Sequence, residues 1–189
     1  MEKKIIIGLT GKIACGKGTI KNYLMEKYEA DDYRFSTILR DVAKRLDIET
    51  TRQNLQTMSQ ALRQAFGEDT LAKAMIRDLQ NSQAKLIVVD GIRRMQDIIF
   101  LREMEGFKLW QVIAAEDIRY KRVVSRNENP GDAEKTLEEF LQDEKGEAEK
   151  EIPNVMSHSD YTIDNETTIP EMHLRIDAVM EDIELRHSL

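Results

Sequence analysis

Near its start the chain runs from an apolar strand, Ile5-Ile6-Ile7-Gly8-Leu9-Thr10, into Gly11-Lys12-Ile13-Ala14-Cys15-Gly16-Lys17-Gly18-Thr19, a glycine-rich turn closed by a lysine. No other stretch restricts the fold so strongly. An apolar strand, a tight turn and a helical pattern over Lys17 to Tyr28 together specify a phosphate-binding loop. Gly11 and Gly16 bracket a backbone that must aim successive N–H groups inward, and a Cβ at either point obstructs that curl or the approach of a phosphate. Lys17 brings a mobile cation to the β and γ phosphates, and the helix that starts there adds the partial positive charge of its N-terminus. The pattern G-x-x-x-x-G-K-[ST] is met with one departure: Gly18 stands at the hydroxyl position and Thr19 follows it. The loop therefore lacks its usual side-chain ligand for Mg2+. Thr19 is left to bond a phosphate oxygen, and the metal to be held mainly through water and a carboxylate elsewhere.

With 189 residues, 41% hydrophobic and 33% charged, the chain reads as one globular domain, 1–189, with a substantial core. A formal net charge of −7 argues against general nucleic-acid binding, which draws its affinity from a basic surface. No apolar run approaches the length of a membrane span, and Met1 to Lys4 lacks the layout of a signal peptide, so a cytoplasmic protein is expected. The single cysteine, Cys15, cannot form an internal disulfide and reads as a small filler inside the loop.

Further along, Asp32 to Phe35 reads as a second strand, and Ser36 is the expected N-cap of a helix carrying Leu39, Val42, Ala43 and Leu46. A longer helix follows, with Leu55, Met58, Leu62 and Phe66 on one face and Gly67 at its end; a third runs from Asp69 to about Asn81. Three consecutive helices exceed a minimal crossover, so the insert of about 36–81 is expected to build over the sheet edge. Lys85 to Gly91 is a strand of the fully buried parallel type that ends in Asp90, a position from which a carboxylate reaches ligands at the carboxyl edge of a sheet. Asp90 is the expected orienter of Mg2+, with Thr19 beside it, largely through water.

Ile92 to Glu105 reads as a helix, Phe107 to Ala115 as a strand and Glu116 to about Asn127 as another helix. On this last one Arg119, Arg122 and Arg126 share a face that turns either to the phosphates or to solvent. Asn127 to Asp132 is a loop by its turn chemistry, and Thr136 to Lys150 an acidic helix whose glutamates form a solvated face. Asp160 to Asn165 is a fifth strand, and Pro170 opens a final amphipathic helix. The alternation predicts an α/β fold, a parallel sheet with helices on both faces.

Taken together these residues resemble the P-loop nucleoside monophosphate kinases of the adenylate kinase type, and more closely the adenylate-kinase-like and dephospho-CoA-kinase-like proteins, over nearly the whole chain. The Gly16-Lys17-Gly18-Thr19 ending is the one found in adenylate kinases. Phe35-Ser36-Thr37-Ile38-Leu39-Arg40 is similar to the stretch that places an arginine near an acceptor monophosphate, and Asp90-Gly91-Ile92-Arg93-Arg94 resembles their Asp-Gly-x-x-Arg, with Arg93 preferred over Arg94 as the phosphate binder. Arg122 and Arg126 match the arginines that begin and flank the lid, and Asp160 to Asn165 looks like the segment before the base-binding loop of dephospho-CoA kinases.

The resemblance implies a three-layer P-loop NTPase fold, a five-stranded parallel sheet of order 2-3-1-4-5, with a helical acceptor-binding insert and a short lid at about 127–135. It implies ATP and Mg2+ as cofactors. The donor would be held by Gly11, Lys12, Ala14, Cys15, Gly16, Lys17, Gly18, Thr19, Arg122 and Asn165, with Lys17, Asp90, Arg93 and Arg126 acting on the transferring group. A small phosphate acceptor, nucleotide-like, would be gripped by Arg40, Arg93 and Arg94. Arg63 is a further candidate there, although an exposed helix residue is as readily inert. The proline of Asp-Gly-Phe-Pro-Arg is missing, which leaves the acceptor unassigned. A nucleoside or deoxynucleoside monophosphate leads; dephospho-CoA or another small molecule, and a nucleotide-dependent regulatory ATPase, are the alternatives. No apolar stripe is surplus to the core, so monomer and homodimer both stay open.

Overall fold

A computed structural model describes residues 4–126, 131–147 and 149–187. Its strands are β1 (Ile5–Thr10), β2 (Asp31–Arg34), β3 (Leu86–Asp90), β4 (Phe107–Ile113) and β5 (Tyr161–Asp164), in one five-stranded sheet of order β2-β3-β1-β4-β5. All four pairings are parallel, with Gly8 opposite Val89 on one side of β1 and Leu9 opposite Trp110 on the other. This is the α/β order expected above, and it puts the turn after β1 at the middle of the carboxyl edge.

Alternation along the strands divides the core in two. Ile7, Leu9, Val88, Trp110, Val112 and Ile163 face α1 (Lys17–Tyr28) and the C-terminal helix Ile169–His187. Ile6, Ile87, Val89 and Leu109 face α2 (Phe35–Arg45), α3 (Arg52–Phe66), α4 (Thr70–Asn81) and α5 (Met95–Leu101). The three helices of the insert cover this second face, and α2 and α4 also meet the edge strand β2. Beyond β4, α6 (Glu116–Arg126) and α7 (Leu137–Glu144) pack through Val123, Tyr120 and Phe140, and α8 (Ile152–Met156) precedes β5 and α9 (Ile169–His187).

Three local expectations are corrected. Ser36 is not an N-cap: β2 passes straight into α2, with Arg34 at the cap position and no side chain bonding there. The helix expected over Ile92–Glu105 shortens to Met95–Leu101, because Gly91 turns at φ +83° and the chain through Arg94 stays in a turn held by side chains. The acidic helix expected over Thr136–Lys150 begins with a Thr136–Glu139 capping box but stops at Glu144; Glu138, Glu139 and Glu147 are solvated as expected, whereas Glu144 and Glu149 turn to Arg119 and Arg93. Residues 127–130 of the expected lid lie outside the described residues; Asp132–Glu134 forms one 3-10 turn.

Ile7 is fully buried in the central strand. Ile7→Ala is expected to lower the unfolding free energy by about 3 kcal/mol, read from urea denaturation; a change under about 1 kcal/mol would mean that the core closes around the cavity.

Candidate phosphate-binding site

Three residues after β1 adopt left-handed backbone: Gly11 at φ +146°, Ala14 at φ +58° and Gly16 at φ +101°. Space excludes side chains at the two glycines. A Cβ on Gly11 would lie 2.5 Å from the Val112 carbonyl oxygen, and one on Gly16 would lie 1.8 Å from the Asn165 amide nitrogen. The curl aims the loop at the N-terminus of α1, where no side chain caps Gly16 and no acidic residue stands in the first turn. An uncapped helix start is an anion site in waiting. Lys17 folds back over the hollow, its ammonium donating to the carbonyls of Gly11 at 2.6 Å and Lys12 at 3.2 Å, with the Cys15 sulfur 3.6 Å away. Gly18 and Thr19 are exposed, and nothing lies within 4 Å of a Cβ built on Gly18.

The loop is held from behind. The Cys15 carbonyl accepts from Asn165 Nδ2 at 2.8 Å and from Arg122 Nη1 at 3.4 Å, while Arg122 Nη2 donates to the Asn165 carbonyl at 2.7 Å. Arg119 is only 3% exposed; it donates to the carbonyls of Ile13 and Ala114 and pairs with Glu144, whose other oxygen lies 3.8 Å from Lys12. The arginine face of α6 thus turns toward the loop, and Arg119 is no solvated residue. Arg126 ends that helix, exposed, one turn beyond Arg122.

Asp90 sits one step beyond the Gly8–Val89 partners, on the face covered by α1. Opposite it in β2 is Arg34, whose Nε lies 3.9 Å from Asp90 and donates at 3.0 Å to Asp32. Lys21, one turn after Lys17 and 3% exposed, donates to the same Asp32 oxygen at 2.8 Å. The other oxygen, Oδ1, is buried without a partner. Burial, and then the Asp90 carboxylate, push the Asp32 acid up to about 6. Sequence reasoning passed over Asp32 and Lys21; the signal was there, since Lys21 follows Lys17 by one helical turn and Asp32 and Arg34 share one face of an edge strand.

Arg93 is paired with the buried Glu149 at 2.5 Å, and Arg94 lies 3.5 Å from Glu151 and 3.9 Å from Glu68. Arg40 is exposed and makes no ion pair among the described residues. Arg63 departs from expectation: it is buried at 5% exposure, with Nη2 3.0 Å from Asp97 and Nη1 on the Glu68 carbonyl, so its guanidinium is not open to an acceptor.

The donor set fits a nucleoside triphosphate: glycines where a Cβ would fill the cradle, free helix amides and a lysine over them. No group of three or more His, Cys, Asp or Glu able to hold a metal occurs among the described residues. Asp32 is already taken by Lys21 and Arg34, so Asp90 is the carboxylate left for an ion such as Mg2+, which keeps most of its water.

Residues 7–151 match the family described as an AAA domain, and the chain belongs to that family. It is similar to the UPF0200 protein of Hyperthermus butylicus, 26% identical over 168 residues that cover 89% of each chain. A UPF0200 protein of Saccharolobus solfataricus is 26% identical over 181 residues, covering 94% of this chain and 93% of the relative. Among solved structures, TT1252 from Thermus thermophilus superposes with a TM-score of 0.66 at 16% identity, covering 95% of this chain and 98% of that one. Shikimate kinase from Bacteroides thetaiotaomicron gives 0.61 at 15% identity, covering 94% and 98%. The fold is that of the P-loop kinases, a fold that implies nucleotide binding.

Gly16→Ala is expected to destabilise the protein by about 3 kcal/mol, from a left-handed Cβ and the clash with Asn165. An unaltered urea midpoint would mean that Asn165 does not press on the loop.

Proposed function

We propose that the protein transfers the γ-phosphoryl group of ATP to a small nucleotide-like acceptor, a nucleoside or deoxynucleoside monophosphate. One observation carries the reading: the Lys17 ammonium folded over the curled loop at an uncapped helix start, with Asp90 on the adjacent strand. That juxtaposition supplies what phosphoryl transfer asks of a protein, which is positioning and neutralisation of charge. Bound ATP and Mg2+ supply the phosphoryl group and part of that neutralisation. Lys17 and the first amides of α1 hold the donor phosphates, Asp90 orients the metal's waters, and Arg122 keeps the loop in shape. Arg126 closes over the transferring group from the lid at about 127–135. Arg40 and Arg93 grip the acceptor phosphate, Arg93 by exchanging the Glu149 carboxylate for it. In this reading 1–189 is one kinase domain, the helices of 36–81 shape the acceptor site, and the protein works in the cytoplasm. No helix among the described residues is long and apolar enough to cross a membrane.

A second reading has its own observation. Asp32 Oδ1 is buried and unpartnered, and the acid is raised to about 6, the profile of a general base. An ionised phosphate needs no base, whereas a hydroxyl does, so Asp32 favours a hydroxyl acceptor such as that of dephospho-CoA or another small molecule.

A screen of nucleoside monophosphates, deoxynucleoside monophosphates and dephospho-CoA with ATP and Mg2+, scored by phosphorylated product, separates these readings. ATP hydrolysis with no acceptor product would favour the regulatory ATPase. Lys17→Met is expected to lower transfer at least about a thousandfold while leaving the fold intact, since charge-stabilising groups are worth this much; full transfer by the folded variant sinks the assignment. For a hydroxyl acceptor, kcat/KM should fall as pH drops through about 6, because Asp32 then binds the proton it must accept. Asp32→Asn should remove that step along with most of the activity, and a pH profile that the substitution leaves intact would clear Asp32 of the role.

A further inference from the structure

We infer that the buried pair Arg63–Asp97 is a positioning device that sets the turn bearing Arg93 and Arg94 against the corner between α3 and α4. The inference rests on the proposed acceptor role of those two arginines for its consequence, but not for its geometry.

Arg63 lies in the last turn of α3 and Asp97 in the first turn of α5, 34 residues apart, with side chains 5% and 3% exposed and a 3.0 Å contact between them. Each partner holds backbone as well. Arg63 Nη1 donates to the carbonyl of Glu68, just past the end of α3. The Asp97 amide donates to the Arg94 carbonyl at 3.1 Å, and its carboxylate faces the amides of Arg93 and Arg94, which favour its charged form against burial. Glu68 then reaches back, its own carboxylate 3.9 Å from Arg94. The links close a ring, from Arg63 to Glu68, from Glu68 to Arg94, from the Arg94 backbone to Asp97, and from Asp97 back to Arg63.

The rest of the turn is pinned independently. Thr10 Oγ1 donates to the Ile92 carbonyl at 2.9 Å, and the Met95 amide donates to Glu151 at 3.0 Å. The Met95 amide is therefore taken by a carboxylate and those of Arg93 and Arg94 face another, while the two guanidiniums project, 43% and 26% exposed.

Stability alone is a poor reason for such a pair. Taking two charges out of water costs several kcal/mol per ion, so apolar residues of like volume commonly serve a core at least as well. Here Arg63 Nε is also buried without a partner, which adds to the cost. What apolar residues cannot do is face two amides with a carboxylate and orient a carbonyl together. The pair buys a fixed direction for Arg93 and Arg94 and ties it to the helical insert.

Two measurements on the full chain test this, using Arg63→Met, Asp97→Leu and the double variant. The first needs no ligand. In the native protein the amides of Arg93 and Arg94 should exchange slowly with deuterium, and in the double variant at least about tenfold faster, while core-strand amides and the melting temperature hold. The second is kinetic: with the acceptor found in the screen, the double variant should raise its KM about tenfold or more, leaving kcat and the affinity for a fluorescent ATP analogue within about twofold. Asp97→Asn, which still accepts hydrogen bonds, should recover part of both. Retained protection at Arg93 and Arg94 in the double variant overturns the inference, as does a loss of protection spread evenly over the core. Faster exchange at those two amides with an unchanged acceptor KM would uphold the positioning device and instead unseat the acceptor role of the arginines.

Discussion

The loop between β1 and α1 is a conformation that L side chains resist, and the chain keeps it by gripping the backbone from outside. Left-handed φ at Gly11, Ala14 and Gly16 gives the curl, and at Ala14 it costs about 1–2 kcal/mol because a Cβ is present. The Cys15 carbonyl points away from the hollow into the hands of Asn165 and Arg122, and the Ile13 carbonyl into those of Arg119. The carbonyls of Gly11 and Lys12 are taken by the Lys17 ammonium instead. The grip comes from the end of β5 and from α6, so the ligand-binding backbone depends on β4 and β5 being laid down in order beside β1. Gly16 records the tightness of that packing, since the Asn165 amide occupies the space a side chain would need.

A chain of net charge −7 thus gathers arginines and lysines at one edge of its sheet, where they would repel one another if left bare. They are not left bare. Glu144 takes Arg119 and lies near Lys12, Glu149 takes Arg93, Glu151 takes Arg94, and Asp32 takes Lys21 and Arg34. Three of these carboxylates, Glu144, Glu149 and Glu151, come from one short acidic stretch that starts at the end of α7. Glu144, Glu149 and Glu151 are counter-ions to arginines, while Glu147 stays exposed beside Lys150.

The same reasoning explains which features were legible in the sequence. Strand runs, the loop and the sheet order follow from local pattern: Ile5 to Thr10 and Leu86 to Asp90 are apolar enough to be buried on both faces, and two glycines at a set spacing before a lysine admit few readings. Arg63 was illegible because its neighbours on α3 are polar and its partner, Asp97, is 34 residues away. Periodicity places Arg63 on a face but says nothing of what covers that face. The turn 91–94 was lost to a predicted helix for the same reason, because its hold comes from distant side chains: Thr10 on the Ile92 carbonyl, Glu151 on the Met95 amide and the Asp97 carboxylate facing the amides of Arg93 and Arg94. Asp32 read as the edge of a short strand, and only the approach of Lys21 from α1 shows that it lines the site.

Charge balance at the acceptor end also frames the choice of acceptor. Lys21 and Arg34 offset Asp32 and Asp90, and each of Arg93 and Arg94 has a glutamate, whereas Arg40, of the proposed acceptor arginines, is exposed with no ion pair among the described residues. A dianionic phosphate entering there would meet Arg40 alone among these cations without an ion pair, and gains Arg93 as well only by displacing Glu149. Glu149 is buried and Arg93 half exposed, so the carboxylate is the costlier of the two to move. A hydroxyl acceptor leaves that pair alone, but Asp32 Oδ1 is buried and Oδ2 holds Lys21 and Arg34, so the carboxylate must turn to meet it. The two readings therefore differ in a physical demand on one residue: the first requires that the Glu149–Arg93 pair open, and the second leaves it shut.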